Sequence, residues 1–292
     1  MGMNISGKTS VFGVIGDPIA HTLSPLMHNR AIAVMGIDAV YVPFNVKPPF
    51  IEDAIKSIVS FGIKGLNVTV PYKTEVIKYL ENLTKVAVAV GAVNTIINNN
   101  CILIGDNTDV YGFEMCLEKD GGLETFPERI CILGAGGAAR GVVYACLMRD
   151  EVKEVTVINR TFSKAEKLAD ELSRVTGKTP VPMPADEETI KKIVPAAGLV
   201  INTTSVGMHP DIENSPVPDP NVFHENQVVC DIIYNPLETK FLRNAASQGA
   251  KTVGGLAMLA YQGARSLSLW TGMEAPADVM LDALKEKFGV KK

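Results

Sequence analysis

Residues 129–140 read RICILGAGGAAR, and this stretch decides the class of fold. Residues 129–133 form a buried strand by pattern, and a helical pattern runs from the glycines to about 148. Between them, GAGGAA fits G-x-G-x-x-[G/A] at Gly134, Gly136 and Ala139. Each small residue has a physical reason. Gly134 permits a tight turn, Gly136 lets backbone approach a pyrophosphate, and Ala139 allows close packing of helix on strand. The helix N-terminus offers free N–H groups and a partial positive charge to the phosphates. The same letters could mark a plain tight turn. A strand before and a helix after favour dinucleotide binding.

The next strand selects the dinucleotide. An NAD site places Asp or Glu about 20 residues on, for the ribose 2′-hydroxyl. Here the strand ends VINRT (157–161), with Lys164 beyond and no carboxylate at its tip. Arg160 can pair with a 2′-phosphate and lie across the adenine, and Thr161 can donate to the same phosphate. That pattern points to NADP(H). Further strands are expected at 154–158, 199–202, 228–233 and 252–253, and a helix at 162–174. Prolines 210, 216, 218 and 220 mark 203–226 as loop.

Upstream, strands are expected at 10–15, 40–46, 65–70 and 93–98 with helices between them, an order that implies a largely parallel sheet. Residues 24–35 read as a helix, with Ser24 as N-cap, Pro25 in the first turn and Gly36 at the end. The run of Asn98, Asn99 and Asn100 marks a hairpin between 95–97 and 102–104. A helix is expected to begin near 107–109, and the polar stretch 119–128 looks like a linker. Helical patterns at 256–270 and 275–288 close the chain.

Polar residues gather where a parallel sheet binds ligands, at the carboxyl ends of strands. In GLNVTVPYK (65–73), Asn67 and Thr69 alternate with apolar neighbours, and Lys73 opens the next helix. A lysine there opposes the helix dipole, which hints at another purpose, although a surface lysine fits too. In GDNTDVYG (105–112), Asp109 fits a helix first turn without any ligand. Ser24 as an N-cap would likewise need none.

The 292 residues are 47% hydrophobic and 21% charged, an ordinary globular balance, and the length fits two domains. A net charge of -4 without a Lys/Arg cluster argues against a nucleic-acid partner. The longest apolar runs, such as 86–93, fall far short of the ~20 residues of a membrane span, so no membrane partner is expected. No basic region followed by an apolar segment marks a secretory signal. MGMNIS (1–6) fits a loose N-myristoylation pattern, but no basic patch follows it, and an extra start before Met3 is the plainer explanation. The five cysteines form no CxxC pair and are expected as buried thiols in a reducing cytoplasm. The four histidines lack metal-ligand spacing, so no metal is expected.

Taken together, GDPIAHTLSPLMHN (16–29), GLNVTVPYK (65–73), GAVNT (91–95), GDNTDVYG (105–112), GAGGAAR (134–140), NRT (159–161), NTTSVGM (202–208), DIIYNP (231–236) and GGLAMLAYQG (254–263) resemble the shikimate dehydrogenase family. The motifs run across nearly the whole chain in the right order. The resemblance implies an α/β protein of two domains with a cleft between them. A mostly parallel substrate domain takes 1–109 and 255–292, so the C-terminal helices return to it. A Rossmann-type NADP domain takes 110–254. The implied activity is the NADPH-dependent reversible reduction of 3-dehydroshikimate to shikimate, by a cytoplasmic monomer or homodimer.

Residue roles follow by motif position. The resemblance implies that Thr22 and Ser24 hold the substrate carboxylate with help from Tyr234. Thr69, Asn94 and Gln262 would contact ring hydroxyls, and Lys73 and Asp109 would flank the reacting C–O group. Gly134, Ala135, Gly136, Gly137 and Ala138 would cradle the pyrophosphate. Asn159, Arg160, Thr161 and Lys164 would meet the adenosine phosphate, and Ile232, Gly255 and Met258 would complete the cofactor site. A hydride acceptor becomes an alkoxide that needs a proton, and an ordinary lysine is protonated at neutral pH. One departure is Thr22, where the family usually has serine. Its methyl group and stiffer χ1 bear on ring carbon 1, where quinate carries an extra hydroxyl. A quinate/shikimate dehydrogenase with relaxed cofactor choice is therefore an alternative, and a non-catalytic ligand sensor on the same fold is another.

Overall fold

A computed structural model describes residues 5–290, so Gly2 of the acylation pattern lies outside the described residues. The chain divides into two compact units. One holds residues through Tyr111 together with those from Ala260 onward, and the other is Gly112–Leu259.

The first unit is built from β1 (Ser10–Gly16), α1 (Ser24–Met35), β2 (Ala39–Asn45), α2 (Ile51–Ser60), β3 (Gly65–Val68), β4 (Asn82–Leu83), α3 (Lys85–Val90), β5 (Thr95–Asn99), β6 (Ile102–Asp106) and the start of α4 (Thr108–Lys119). Among the described residues its strands form one sheet in the order β2-β1-β3-β5-β6-β4. All run parallel except β5, which pairs antiparallel with both neighbours. The hairpin is the cause. Its tip is Asn100 and Cys101, at φ 50° and 69°, one residue further on than the asparagine run suggested. Two left-handed positions in succession give the twist that joins adjacent antiparallel strands. Ile15, Ile55, Leu66, Tyr72, Val93 and Ile96 form the core beneath this sheet.

Two local expectations change here. Ser24 is the first residue of α1, and Leu23 is its N-cap, so the Ser24 hydroxyl does not cap its own helix. Strand β3 ends at Val68, because Pro71 and the turn before it leave the ladder. Lys73 therefore lies in a turn ahead of a short 3-10 stretch, Glu75–Tyr79, and not at the start of an α-helix.

The second unit contains β7 (Arg129–Leu133), α5 (Gly137–Leu147), β8 (Glu154–Asn159), α6 (Phe162–Thr176), β9 (Val181–Pro184), α7 (Glu187–Ile193), β10 (Leu199–Asn202), β11 (Val228–Asp231), α8 (Lys240–Ala246), β12 (Lys251–Gly254) and the start of α9 (Leu256–Thr271). Among the described residues the order is β12-β11-β10-β7-β8-β9, with every pairing parallel. This is the doubly wound dinucleotide-binding order, and it reverses beside β7. The glycine turn thus sits at the switch point. β9 escapes a pattern reading because it carries Pro182 and Pro184, which an edge strand tolerates.

The rest of α9 and α10 (Ala277–Lys287) belong to the first unit. Trp270 explains how the C-terminal segment is held there. Its Nε1 donates to Ile96 O on β5 at 2.9 Å, and an added Cβ on Gly65 would lie 2.2 Å from that nitrogen. The indole needs the bare glycine of β3 to reach the sheet.

Candidate active site

Lys73 and Asp109 come together in the first unit. The Lys73 carbonyl accepts the Val93 N–H at 2.7 Å, and neighbouring Tyr72 is fully buried with its hydroxyl donating to Val46 O at 2.6 Å. The turn is therefore pinned while the lysine side chain stays 28% exposed. Asp109 lies in the first turn of α4. Its N–H donates to Asn107 Oδ1 at 3.1 Å, and Asn107 is anchored by donating to Ala92 O at 3.0 Å. Lys73 Nζ then donates to Asp109 Oδ2 at 2.7 Å.

Asn94 supports the other carboxylate oxygen. Its Oδ1 accepts the Thr108 backbone N–H at 2.7 Å, a group that can only donate. Its Nδ2 is therefore the donor end of the amide, donating to Asp109 Oδ1 at 2.8 Å and lying 3.2 Å from Gln262 Oε1. Four of the expected residues, Lys73, Asn94, Asp109 and Gln262, thus form one hydrogen-bonded group. Thr22 and Ser24 form a second pair, with Thr22 Oγ1 donating to Ser24 Oγ at 3.3 Å. Thr69 follows β3, its N–H on Ile15 O at 3.0 Å and its methyl group against Gly16.

Asn67 is a residue whose part the sequence left undefined. It is buried, accepts from the Tyr41 hydroxyl at 2.8 Å and donates to Ser266 Oγ at 3.0 Å. An asparagine inside an apolar strand is a signal for buried partners, but those partners lie 26 and 199 residues away. His28 is another fully buried polar residue of this unit. It stacks on Tyr41 at 4.0 Å between ring centroids, and Nδ1 lies 2.8 Å from Ser24 O. Complete burial lowers it to about 4, so it is neutral at physiological pH.

The second unit carries the features a dinucleotide needs. Gly134 has φ +110°, and an added Cβ would lie 2.6 Å from Thr203 Oγ1. At Gly136 and Gly137 an added Cβ would meet nothing within 4 Å. Gly136 is the N-cap of α5, and no side chain among the described residues caps that helix. Gly136, Gly137 and Ala138 are exposed and Ala135 is half-buried beside them, so the first N–H groups of α5 have no side-chain cap. Beyond β8, Arg160, Thr161 and Lys164 are exposed, and Thr161 does not spend its hydroxyl capping α6. Asn159 instead organises the loop, donating to Thr161 O at 2.7 Å. Gly255 packs on Ile232, whose carbonyl oxygen would lie 2.1 Å from an added Cβ, and half-buried Met258 follows in α9. These residues fit a phosphorylated dinucleotide.

The loop after β11 is held by Asp231, which is 0% exposed. Its Oδ1 accepts from Asn202 Nδ2 at 3.1 Å and Ile233 N at 3.0 Å, and its Oδ2 accepts from Thr239 Oγ1 at 2.7 Å. Burial outweighs these bonds and pushes it up to about 6. Tyr234, half-buried in the same loop, is likewise raised by burial. Among the described residues no group of three His, Cys, Asp or Glu could hold a metal, and no helix is long and apolar enough to cross a membrane.

Comparison with known proteins agrees across the whole chain. Residues 14–96 match the shikimate dehydrogenase substrate binding domain, 119–232 match shikimate / quinate 5-dehydrogenase, and 255–285 match the shikimate 5'-dehydrogenase C-terminal domain. A shikimate dehydrogenase (NADP(+)) of Moorella thermoacetica is 43% identical over 98% of this chain and 96% of its own. A crystal structure of a shikimate dehydrogenase in complex with NADP+ aligns with a TM-score of 0.91 at 39% identity, covering 100% of this chain and 99% of that one. A Thermus thermophilus shikimate 5-dehydrogenase in complex with NADP(H) and shikimate aligns at 0.83 and 35% identity, covering 95% and 99%.

Proposed function

The chain belongs to the shikimate dehydrogenase family, and from that membership we propose that it catalyses the reversible, NADPH-dependent reduction of 3-dehydroshikimate to shikimate, a step toward the aromatic amino acids. The observation that carries this reading is the Lys73–Asp109 pair, closed at 2.7 Å and backed by Asn94. NADPH, when bound, supplies the hydride. The carbonyl oxygen of the substrate then becomes an alkoxide, and the Lys73 ammonium gives it a proton from Nζ. Asp109 aims that ammonium through Oδ2 and accepts from a ring hydroxyl. In the reverse direction Lys73 takes the hydroxyl proton back.

The remaining assignments rest on chemistry and motif position. Thr22 and Ser24 offer two hydroxyls for the substrate carboxylate, with Tyr234 a third. Ser24 is available for this because it is not the N-cap of α1. Thr69, Asn94 and Gln262 bind ring hydroxyls. The uncapped N-terminus of α5 and residues Gly134 to Ala138 hold the pyrophosphate. Arg160, Thr161 and Lys164 bind the 2′-phosphate of NADP, with Asn159 shaping their loop. Ile232, Gly255 and Met258 line the nicotinamide end.

A spectrophotometric panel tests this reading. Shikimate and quinate are each offered with NADP+ and with NAD+, and kcat/KM is compared. The highest value is expected for shikimate with NADP+. Equal values for quinate would mean that Thr22 admits the extra hydroxyl at ring carbon 1. No turnover with any pair would point to the sensor alternative.

A further inference from the structure

Behind Asn94 three hydroxyls form a closed, buried triangle. Thr95 Oγ1 lies 2.8 Å from Ser266 Oγ and 3.1 Å from Thr108 Oγ1, and Thr108 Oγ1 lies 3.1 Å from Ser266 Oγ. Thr95 and Ser266 are 0% exposed and Thr108 is 1% exposed. The three come from β5, α4 and α9, so the triangle ties three separate segments together.

Its outer partners have fixed polarity. Ser266 donates to the Gln262 carbonyl at 3.0 Å, which can only accept, and receives Asn67 Nδ2 at 3.0 Å. Asn67 is in turn set by the Tyr41 hydroxyl on its Oδ1. On the other side Thr108 Oγ1 receives Asn94 Nδ2 at 2.9 Å, while Thr95 Oγ1, which must donate along the 2.8 Å edge to Ser266, lies 3.0 Å from Asn94 Oδ1. Both ends of the Asn94 amide therefore touch the triangle. The same amide is the one that donates to Asp109.

We propose that the hydroxyl triangle of Thr95, Thr108 and Ser266 is a positioning device for Asn94 and, through Asn94, for the carboxylate of Asp109. This proposal rests on the dehydrogenase reading above. None of the three needs to touch substrate. Removing one hydroxyl leaves buried donors or acceptors without a partner, which a low-dielectric interior penalises heavily. The amide then loses its single orientation, and Asp109 loses a directed N–H donor.

Thr95→Val keeps the shape and removes the hydroxyl, whereas Thr95→Ser keeps the hydroxyl and removes a methyl group. The test is steady-state oxidation of shikimate by NADP+ with wild type and both variants, alongside thermal unfolding. Thr95→Val is expected to lower kcat about tenfold, the equivalent of one buried hydrogen bond, with KM for NADP+ unchanged. Thr95→Ser is expected to restore most of that loss. Wild-type kcat in Thr95→Val, or an equal fall in both variants, overturns the proposal, the latter because packing alone would explain it. If Thr95→Val shows no cooperative unfolding, Ser266→Ala decides: a folded variant with lowered kcat supports the device, and an unaltered kcat refutes it. A wild-type chain that does not oxidise shikimate removes the parent reading, and that is seen before any variant is compared.

Discussion

Lys73 Nζ sits 2.7 Å from Asp109 Oδ2, although 36 residues separate them and neither is placed by a regular element alone. Lys73 is held by the Val93 N–H on its carbonyl and by buried Tyr72 beside it. Asp109 is held by Asn107 at its N–H and Asn94 at its second oxygen. A pair fixed from both backbones reacts without first searching for its geometry, which is where orientation contributes to rate.

Lys73→Ala is expected to reduce kcat at least ~100-fold if the lysine moves the proton. The double variant Lys73→Ala with Asp109→Ala is expected to fall only slightly further than the worse single variant, because the two groups act as a unit. Steady-state kinetics with shikimate and NADP+ checks both statements.

The glycine turn makes a contrast between two neighbours. Gly134→Ala is expected to destabilise the protein, since φ +110° and Thr203 Oγ1 at 2.6 Å both reject a side chain. At Gly136 an added Cβ meets nothing within 4 Å, so Gly136→Val is expected to lower the melting temperature less than Gly134→Ala does. With the pyrophosphate placed as proposed, the branched side chain would block its approach, and KM for NADP+ is expected to rise at least ~10-fold. Thermal unfolding and cofactor titration of the two variants separate structure from binding.

Arg160→Ala is expected to weaken NADP+ about tenfold or more and NAD+ much less, because pairing with the 2′-phosphate is lost only for NADP+, whereas any stacking on adenine is lost for both. KM values for the two cofactors in wild type and variant are the readout.

Two buried groups give opposite pH dependences, one in each unit. Burial lowers His28 from 6.5 to about 4, so its contribution is present above pH 6.5 and is lost as pH falls through 4. Burial raises Asp231 from 3.8 to about 6, so its contribution is present below pH 3.8 and is lost as pH rises through 6. Each amounts to about 3 kcal/mol. Calorimetry from pH 4 to 7.5 compares wild type with His28→Asn and Asp231→Asn. On acidification the advantage of wild type over His28→Asn is expected to shrink. Its standing relative to Asp231→Asn is expected to improve.

Much of the fold was legible because it is written locally. The glycine turn, the strand before it and the helix after it fall within 20 residues, and Gly36 stops α1 at φ 66° as its position suggested. What was not legible depends on distant partners. Ser24 looked like an N-cap from its neighbours, yet Leu23 takes that place. Lys73 looked like a helix start, yet its turn is set by Val93. The triangle joins Thr95 to a serine 171 residues away, a separation that no periodicity reports. β9 was hidden by its prolines, which only an edge position excuses. Lys73 and Asp109 each had a plain structural explanation, and their meeting is what lends the pair its chemical sense.

The central claim is that the paired ammonium and carboxylate carry out NADP-linked oxidation and reduction of a shikimate ring. The most direct measurement is NADPH formation from shikimate and NADP+ by wild type and by Lys73→Ala at matched protein concentration. Steady turnover by wild type and a loss of at least ~100-fold in the variant is the predicted result. Turnover that survives the removal of Lys73, or a wild type that binds NADP+ and shikimate without converting them, would contradict it.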